Sequence, residues 1–237
     1  MCKGSPIDVV IDTAGVAHRL LAWHGDHCRR FPWRESRDPF TILLAEVMLQ
    51  RTQAPQAARI FADFLSRYPT AASVAEADPI VIEDILAGLG LRHRARRVIA
   101  LCRALVERHG GRVPDDSGSL DALPGVGPYS VGAVLCFAFG RDTAIVDRNI
   151  VRVLTRLVGY TPSATRPHTD RGLWALALSL VPHGRAREYN LALLDLAASI
   201  CTARHPRHDV CPLADLCHYY RMHAADIEAA EMREKQV

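Results

Sequence analysis

No stretch of this sequence alternates apolar and polar residues over a useful length, so nothing in it reads as a half-buried strand. No apolar run is long enough to cross a bilayer; the longest, Val131 to Phe139, falls well short. The N-terminus lacks the apolar segment of a secretory leader, so a cytoplasmic protein without a membrane partner is expected. Repeats and low-complexity stretches are missing too. Neither sign of charge dominates: 29 Lys and Arg against 26 Asp and Glu give a net charge of +3, which permits a nucleic-acid partner without demanding one. The seven cysteines are an odd number, and three of them fall close together near the C-terminus. In a chain without a leader, that points to a reducing compartment and metal ligation rather than disulfides.

What is present is helical periodicity, punctuated by Pro, Gly and Asp. The spacing predicts helices over residues 8–28, 40–51, 55–67, 79–86, 94–109, 129–139, 148–157, 169–180 and 188–200, with a short one at 119–122 and a loop over 31–39. The fold class is therefore all-α. A chain of 237 residues, 49% hydrophobic and 23% charged, can fill one large core or two small ones. Positive charge clusters locally, with four arginines within Arg92-His93-Arg94-Ala95-Arg96-Arg97.

The chain is organised around Leu123-Pro124-Gly125-Val126-Gly127-Pro128-Tyr129-Ser130 and Val146-Asp147-Arg148-Asn149-Ile150. Gly125 and Gly127 can take positive φ and have no side chain to block a close approach. Their amides, with those opening the next helix, can converge on an anion such as a phosphate. Asp147 precedes a helix with apolar residues at Ile150, Leu154 and Leu157. As an isolated residue it reads as an N-cap.

This glycine turn, the helix after it and the Val-Asp pair some twenty residues on resemble the helix-hairpin-helix base-excision DNA glycosylases, a superfamily that includes endonuclease III, the MutY adenine glycosylases and the Mig-type thymine glycosylases. The resemblance runs from about Trp33 to Tyr220. It implies a six-helix domain over residues 30–143 and a second helical domain from residues 1–29 with 144–223, followed by a tail at 224–237, with the DNA cleft between the domains.

The resemblance also assigns roles. The catalytic aspartate falls on Asp147: cleaving an N-glycosidic bond builds positive charge on the sugar, which a fixed carboxylate stabilises. Where endonuclease III-like lyases carry a Schiff-base lysine and MutY a serine, this chain has Tyr129, as the Mig-type enzymes do, which implies hydrolysis without strand cleavage. Glu46, in the apolar run Leu43-Leu44-Ala45-Glu46-Val47-Met48-Leu49-Gln50-Arg51, falls on the base-pocket glutamate; burial would raise its pKa and suit it to acid catalysis. Gln50 and Arg51 fall where the family fills the gap left by the extruded nucleotide, and Arg51 could meet the orphaned guanine. Leu91 and Arg92, after Gly88-Leu89-Gly90, match the Mig-type form, and the arginines after them could hold phosphates. Gly125, Val126, Gly127 and Ser130 complete the expected DNA contacts.

Near the C-terminus the family's iron–sulfur loop reads Cys-x6-Cys-x2-Cys-x5-Cys. Here the same spacing is filled by Cys201, His208, Cys211 and Cys217. The implied cofactor is a [4Fe–4S] cluster on three cysteines and one histidine, with zinc on the same residues, or no metal, as the competing readings. A neutral imidazole in place of a thiolate should leave the cluster less negative and raise its potential. Cys2, Cys28, Cys102 and Cys136 read as core fillers or incidental thiols. The expected function is a monomeric, nucleoid-associated glycosylase removing thymine or uracil opposite guanine in double-stranded DNA. The adenine enzymes' extra domain, expected to be missing here, favours this over a shortened adenine glycosylase. A catalytically silent, redox-sensing DNA-binding protein is the alternative from another class.

Overall fold

The computed structural model describes residues 11–87 and 92–224, with side chains from 95 in the second stretch. Among them every regular element is a helix: α1 (Thr13–His27), α2 (Pro32–Glu35), α3 (Pro39–Leu49), α4 (Ala54–Arg67), α5 (Ala71–Glu76), α6 (Pro79–Ala87), α7 (Arg92–His109), α8 (Ser117–Asp121), α9 (Pro128–Phe137), α10 (Arg148–Val158), α11 (Arg171–Ser179) and α12 (Ala186–Ser199). The chain divides into two compact units, one of residues Arg29–Thr143, the other of the segment through Cys28 joined by Ala144 onward.

The Arg29–Thr143 unit is built on α3. Asp38 starts it, its carboxylate accepting from the Thr41 amide at 2.7 Å, and Pro39 fits the first turn, where no amide hydrogen is needed. Every residue from Phe40 to Met48 is buried, because α2, α4, α7 and α9 all pack on this helix. That is why the segment reads as apolar all round rather than as a stripe. Trp33, Phe61 and Phe64 fill the space beside it.

In the other unit α10 is the organising helix. Ile150, Val153, Leu154, Leu157 and Val158 face a core completed by Leu20 of α1, Leu173 of α11 and Tyr189, Leu193 and Leu196 of α12. Gly159 ends α10 at φ 73°, and a Cβ there would sit 2.7 Å from the His218 ring. Glycine is needed at this position for both conformation and space. Asp170 starts α11 and gathers the preceding loop, accepting from the Tyr160 hydroxyl at 2.7 Å, the Ser163 amide at 2.8 Å and the Leu173 amide at 2.8 Å. The Tyr160 hydroxyl first, then the Leu173 and Ser163 donors, hold its carboxyl well below the usual range despite burial.

Several elements depart from the periodicity. The 31–39 loop contains the single turn α2, which Pro32 opens. α5 went unanticipated: its capping box pairs Thr70 with Ser73 rather than with the usual Glu or Gln. α11 starts at Arg171 because Asp170 caps there, leaving Pro167–Thr169 as a 3-10 turn. Cys102 and Cys136 are core residues as expected, burial pushing the Cys102 thiol up to about 12. Cys28 is not: it is exposed at the end of α1. Cys2 and the tail from residue 225 lie outside the described residues.

Candidate active site

On the Arg29–Thr143 unit the glycine turn takes the conformation its composition allows. Gly125 is at φ 79° and exposed, and the Val126 amide closes the turn on the Leu123 carbonyl at 3.2 Å. Gly127 does not use positive φ: it is extended, at φ −134°, as the cap of α9, and Pro128 occupies the first turn. Tyr129 follows, half-buried, with Ser130 buried beneath it.

Gln50 reaches the turn directly. Its amide donates to the Gly125 carbonyl at 2.7 Å, and Arg97 donates to its oxygen at 3.4 Å. The end of α3, the turn and α7 are thus tied through one side chain. Arg51, next along, is exposed at φ 57°, the one non-glycine residue in the left-handed region among the described residues. That conformation costs a branched-Cα residue about 1–2 kcal/mol, so it persists only where its surroundings enforce it. Glu46 is 6% exposed, on the same helix one turn earlier than Gln50. Its neighbours along the helix, Leu43, Leu44, Val47 and Met48, are buried as well. Leu91 and the side chain of Arg92 lie outside the described residues.

On the other unit Asp147 is half-buried at the start of α10. One carboxylate oxygen accepts from the Asn149 and Ile150 amides at 2.8 and 2.7 Å; the other accepts from the Asn149 side-chain amide at 2.8 Å. Asp147 is therefore an N-cap and also a carboxylate held by three donors.

Asn149 is in turn held by Arg152. One Arg152 nitrogen donates to the Asn149 side-chain oxygen at 3.1 Å; the others donate to the Ala197 carbonyl at 2.8 Å and the Cys201 carbonyl at 2.9 Å. A continuous chain of hydrogen bonds thus runs from the Cys201 backbone to the Asp147 carboxylate. Sequence reasoning missed Asn149 and Arg152. The three-residue spacing of Asn149 and Arg152 at the start of one helix was the available signal.

The loop beginning at Cys201 is fastened by Arg156, which donates to the Thr202 and Ala203 carbonyls at 2.6 and 3.0 Å and to the Cys201 sulfur at 3.5 Å. The Cys217 thiol donates to the Arg156 carbonyl at 3.4 Å. His208 is 8% exposed, its ring stacked 4.8 Å from Tyr220 and 6.0 Å from Tyr219. Burial raises the Cys211 and Cys217 thiols, Cys211 to about 11, with the neighbouring cysteine charges adding to it. Such thiols need a cation to become thiolates. Three thiols and an imidazole are donor types that can hold an iron–sulfur cluster.

Comparisons with known proteins identify the family of the chain. The HhH-GPD superfamily base excision DNA repair protein matches over residues 44–177, and the iron–sulfur binding domain of endonuclease III over residues 201–217. A thymine-DNA glycosylase of Aeropyrum pernix is 40% identical over 208 residues, covering 85% of this chain and 92% of its own. An adenine DNA glycosylase of Mycobacterium tuberculosis is 39% identical over 205 residues, 84% of this chain but 65% of its own. The solved structure of a thermostable thymine-DNA glycosylase superposes with a TM-score of 0.84 at 36% identity, covering 89% of this chain and 97% of that one. The helical architecture, the glycine turn opening α9 and the C-terminal iron–sulfur loop all fall within these matches, and the chain belongs to the HhH-GPD superfamily of base excision DNA repair proteins.

Proposed function

We propose that the chain is a monofunctional DNA glycosylase that removes thymine or uracil opposite guanine from double-stranded DNA, acting as a monomer in the cytoplasm at the nucleoid. The observation that carries the reading is Tyr129 on the first turn of α9, directly after the Gly125–Gly127 turn. A phenol cannot form the imine through which a lysine at this position would cut the strand. The relatives named thymine-DNA and thymine/uracil-DNA glycosylase, at 38–40% identity, support the same substrate class.

In this reading the target nucleotide leaves the stack, because its glycosidic bond is otherwise shielded. The amides of Gly125, Val126 and Gly127, with Ser130, hold the adjacent phosphate. Gln50 and Arg51 fill the vacated space, and Arg51 hydrogen-bonds the widowed guanine. Leu91 and Arg92 extend the contact along the backbone. Glu46 meets the flipped base or the attacking water from its buried position on α3. Asp147, fixed by its three donors, stabilises the oxocarbenium character of the sugar and orients the water.

Cys201, Cys211, Cys217 and His208 would hold a [4Fe–4S] cluster. When bound, it supplies a fixed anchor for the loop carrying exposed Arg204 and Arg207, and no bond-making chemistry.

The test incubates duplexes carrying G·T, G·U, 8-oxoguanine·A or a matched pair with the enzyme, then reveals abasic sites with alkali. Cleavage of G·T and G·U without a borohydride-trapped enzyme–DNA adduct is expected. Activity confined to 8-oxoguanine·A would move the chain to the adenine enzymes. Tight duplex binding with no excision at all would favour a non-catalytic binding protein. Iron and sulfide analysis of wild type, His208→Cys and His208→Ala tests the ligand set, with near-equal iron in all three ruling histidine ligation out.

A further inference from the structure

A second cluster of metal-binding side chains lies away from the iron–sulfur loop's own ligands. His24 is in the last turn of α1 and Cys28 caps that helix four residues on, so both point along the same face. Asp195 of α12 packs against them: its carboxylate lies 3.2 Å from the His24 Nε2, and the donor atoms of His24, Cys28 and Asp195 are all within 4.8 Å of one another. They are the one such trio among the described residues.

The three differ usefully in exposure. Asp195 is 0% exposed and His24 is 8% exposed, whereas Cys28 opens to solvent. The exposed thiol leaves a path by which an ion can enter. Imidazole, thiolate and carboxylate together are a donor set for a borderline divalent transition metal and a poor one for magnesium or calcium, which take oxygen ligands.

The geometry points to a zinc-binding site formed by His24, Cys28 and Asp195, with a water in the fourth position. On binding, the Cys28 thiol gives its proton to solvent and the neutral imidazole donates its lone pair, with no change of oxidation state. Donor separations of up to 4.8 Å contract by roughly 1 Å to reach zinc–ligand bonds of about 2.0–2.3 Å, a change within reach of side-chain torsions at a helix end. The ion links the end of α1 to α12, whose last turn leads straight to Cys201. Zinc here therefore stiffens the approach to the iron–sulfur loop without touching its ligands.

The test uses the full-length protein with its iron–sulfur content intact. Zinc is added, free metal is removed by dialysis, and zinc and iron are counted per chain; cobalt substitution then reports thiolate ligation by its charge-transfer absorption. One zinc per chain beyond the iron is expected in the wild type. Cys28→Ser, a change at an exposed side chain, should lower zinc affinity by more than about tenfold, since even outer-shell partners of a metal are worth that much. It should also abolish the cobalt–thiolate band while leaving the iron count and the melting temperature without zinc unchanged. His24→Gln should do the same to zinc. Zinc uptake unaffected by Cys28→Ser, or no uptake by the wild type, overturns the proposal.

Discussion

Asn149→Ala isolates the orientation of the Asp147 carboxylate from its presence. Asp147 keeps its two backbone donors, the Asn149 and Ile150 amides at 2.8 and 2.7 Å, and loses only the side-chain donor at 2.8 Å. The helix cap therefore survives, and the loss of one half-buried hydrogen bond should cost about 1 kcal/mol of stability. The carboxylate is then held through one oxygen only, and the other loses its donor and is less sharply oriented. If the oxygen nearest the sugar is the one released, excision should slow about 10–100-fold, equivalent to about 1.4–2.7 kcal/mol of transition-state stabilisation. Arg152→Leu should do more. It also strips donors from the Ala197 and Cys201 carbonyls, at 2.8 and 2.9 Å, so about 3 kcal/mol of stability and part of the iron content should go with the rate. The assay is single-turnover excision from a G·T duplex, with binding affinity, melting temperature and iron content measured on the same samples. A double-mutant cycle between the two positions should be strongly non-additive, because one side chain acts through the other. Asn149→Ala turning over within about twofold of wild type, with additive losses in the double variant, would refute the idea that this hydrogen-bond chain positions the carboxylate.

Asp147→Asn should abolish excision while retaining duplex binding, and its melting temperature should barely move, because asparagine caps a helix about as well as aspartate; a variant with comparable turnover removes the proposed role. Arg51→Gly should stabilise the free protein by about 1 kcal/mol, by relieving the φ of 57°, yet weaken binding to mismatched duplex; thermal melts and titration of DNA check the two halves separately. Gly159→Ala should destabilise by more than about 1 kcal/mol, since the new Cβ meets the His218 ring at 2.7 Å in a conformation alanine resists. Asp170 gives a pH dependence. Its native carboxyl is held below the ordinary value by Tyr160, Leu173 and Ser163, so its contribution is full above the ordinary carboxylate pKa and is lost as pH falls below it toward the native one. Asp170→Asn should flatten the acid limb of a denaturation profile, and an unchanged limb would contradict this.

The central helices were legible because burial leaves a compositional mark. Residues 40–48 and 131–137 are apolar on every face, and a helix that others surround on all sides needs nothing else. Helix ends were legible where a familiar cap was read, as at Asp147, and less so where none was. Thr70 with Ser73 closes a capping box that lacks the usual carboxylate or amide, and α5 was missed with it.

The candidate site divides along a similar line. Its short-range parts show as spacing: the glycine turn, the aspartate before α10, and the Cys201, His208, Cys211, Cys217 series. What holds those parts in place does not show. Arg152 stands near Asp147 on one helix, but the Ala197 and Cys201 carbonyls that hold its guanidinium come from 45 and 49 residues further along the chain. Gln50 read as a side chain for the DNA, yet it is bound to the Gly125 carbonyl, 75 residues away in sequence. In the proposed function, insertion of Gln50 into a duplex would break a hydrogen bond of 2.7 Å that the free protein already makes, whereas Arg51 would enter from a strained backbone. The two neighbours would then have different tasks: Gln50 would brace the glycine turn, to which it is already bonded, and Arg51 would meet the opposing base. Gln50→Ala should then weaken binding to matched and mismatched duplex alike, while Arg51→Ala erodes the difference between them. Equal loss of discrimination in both variants would mean that the brace gives way when DNA binds.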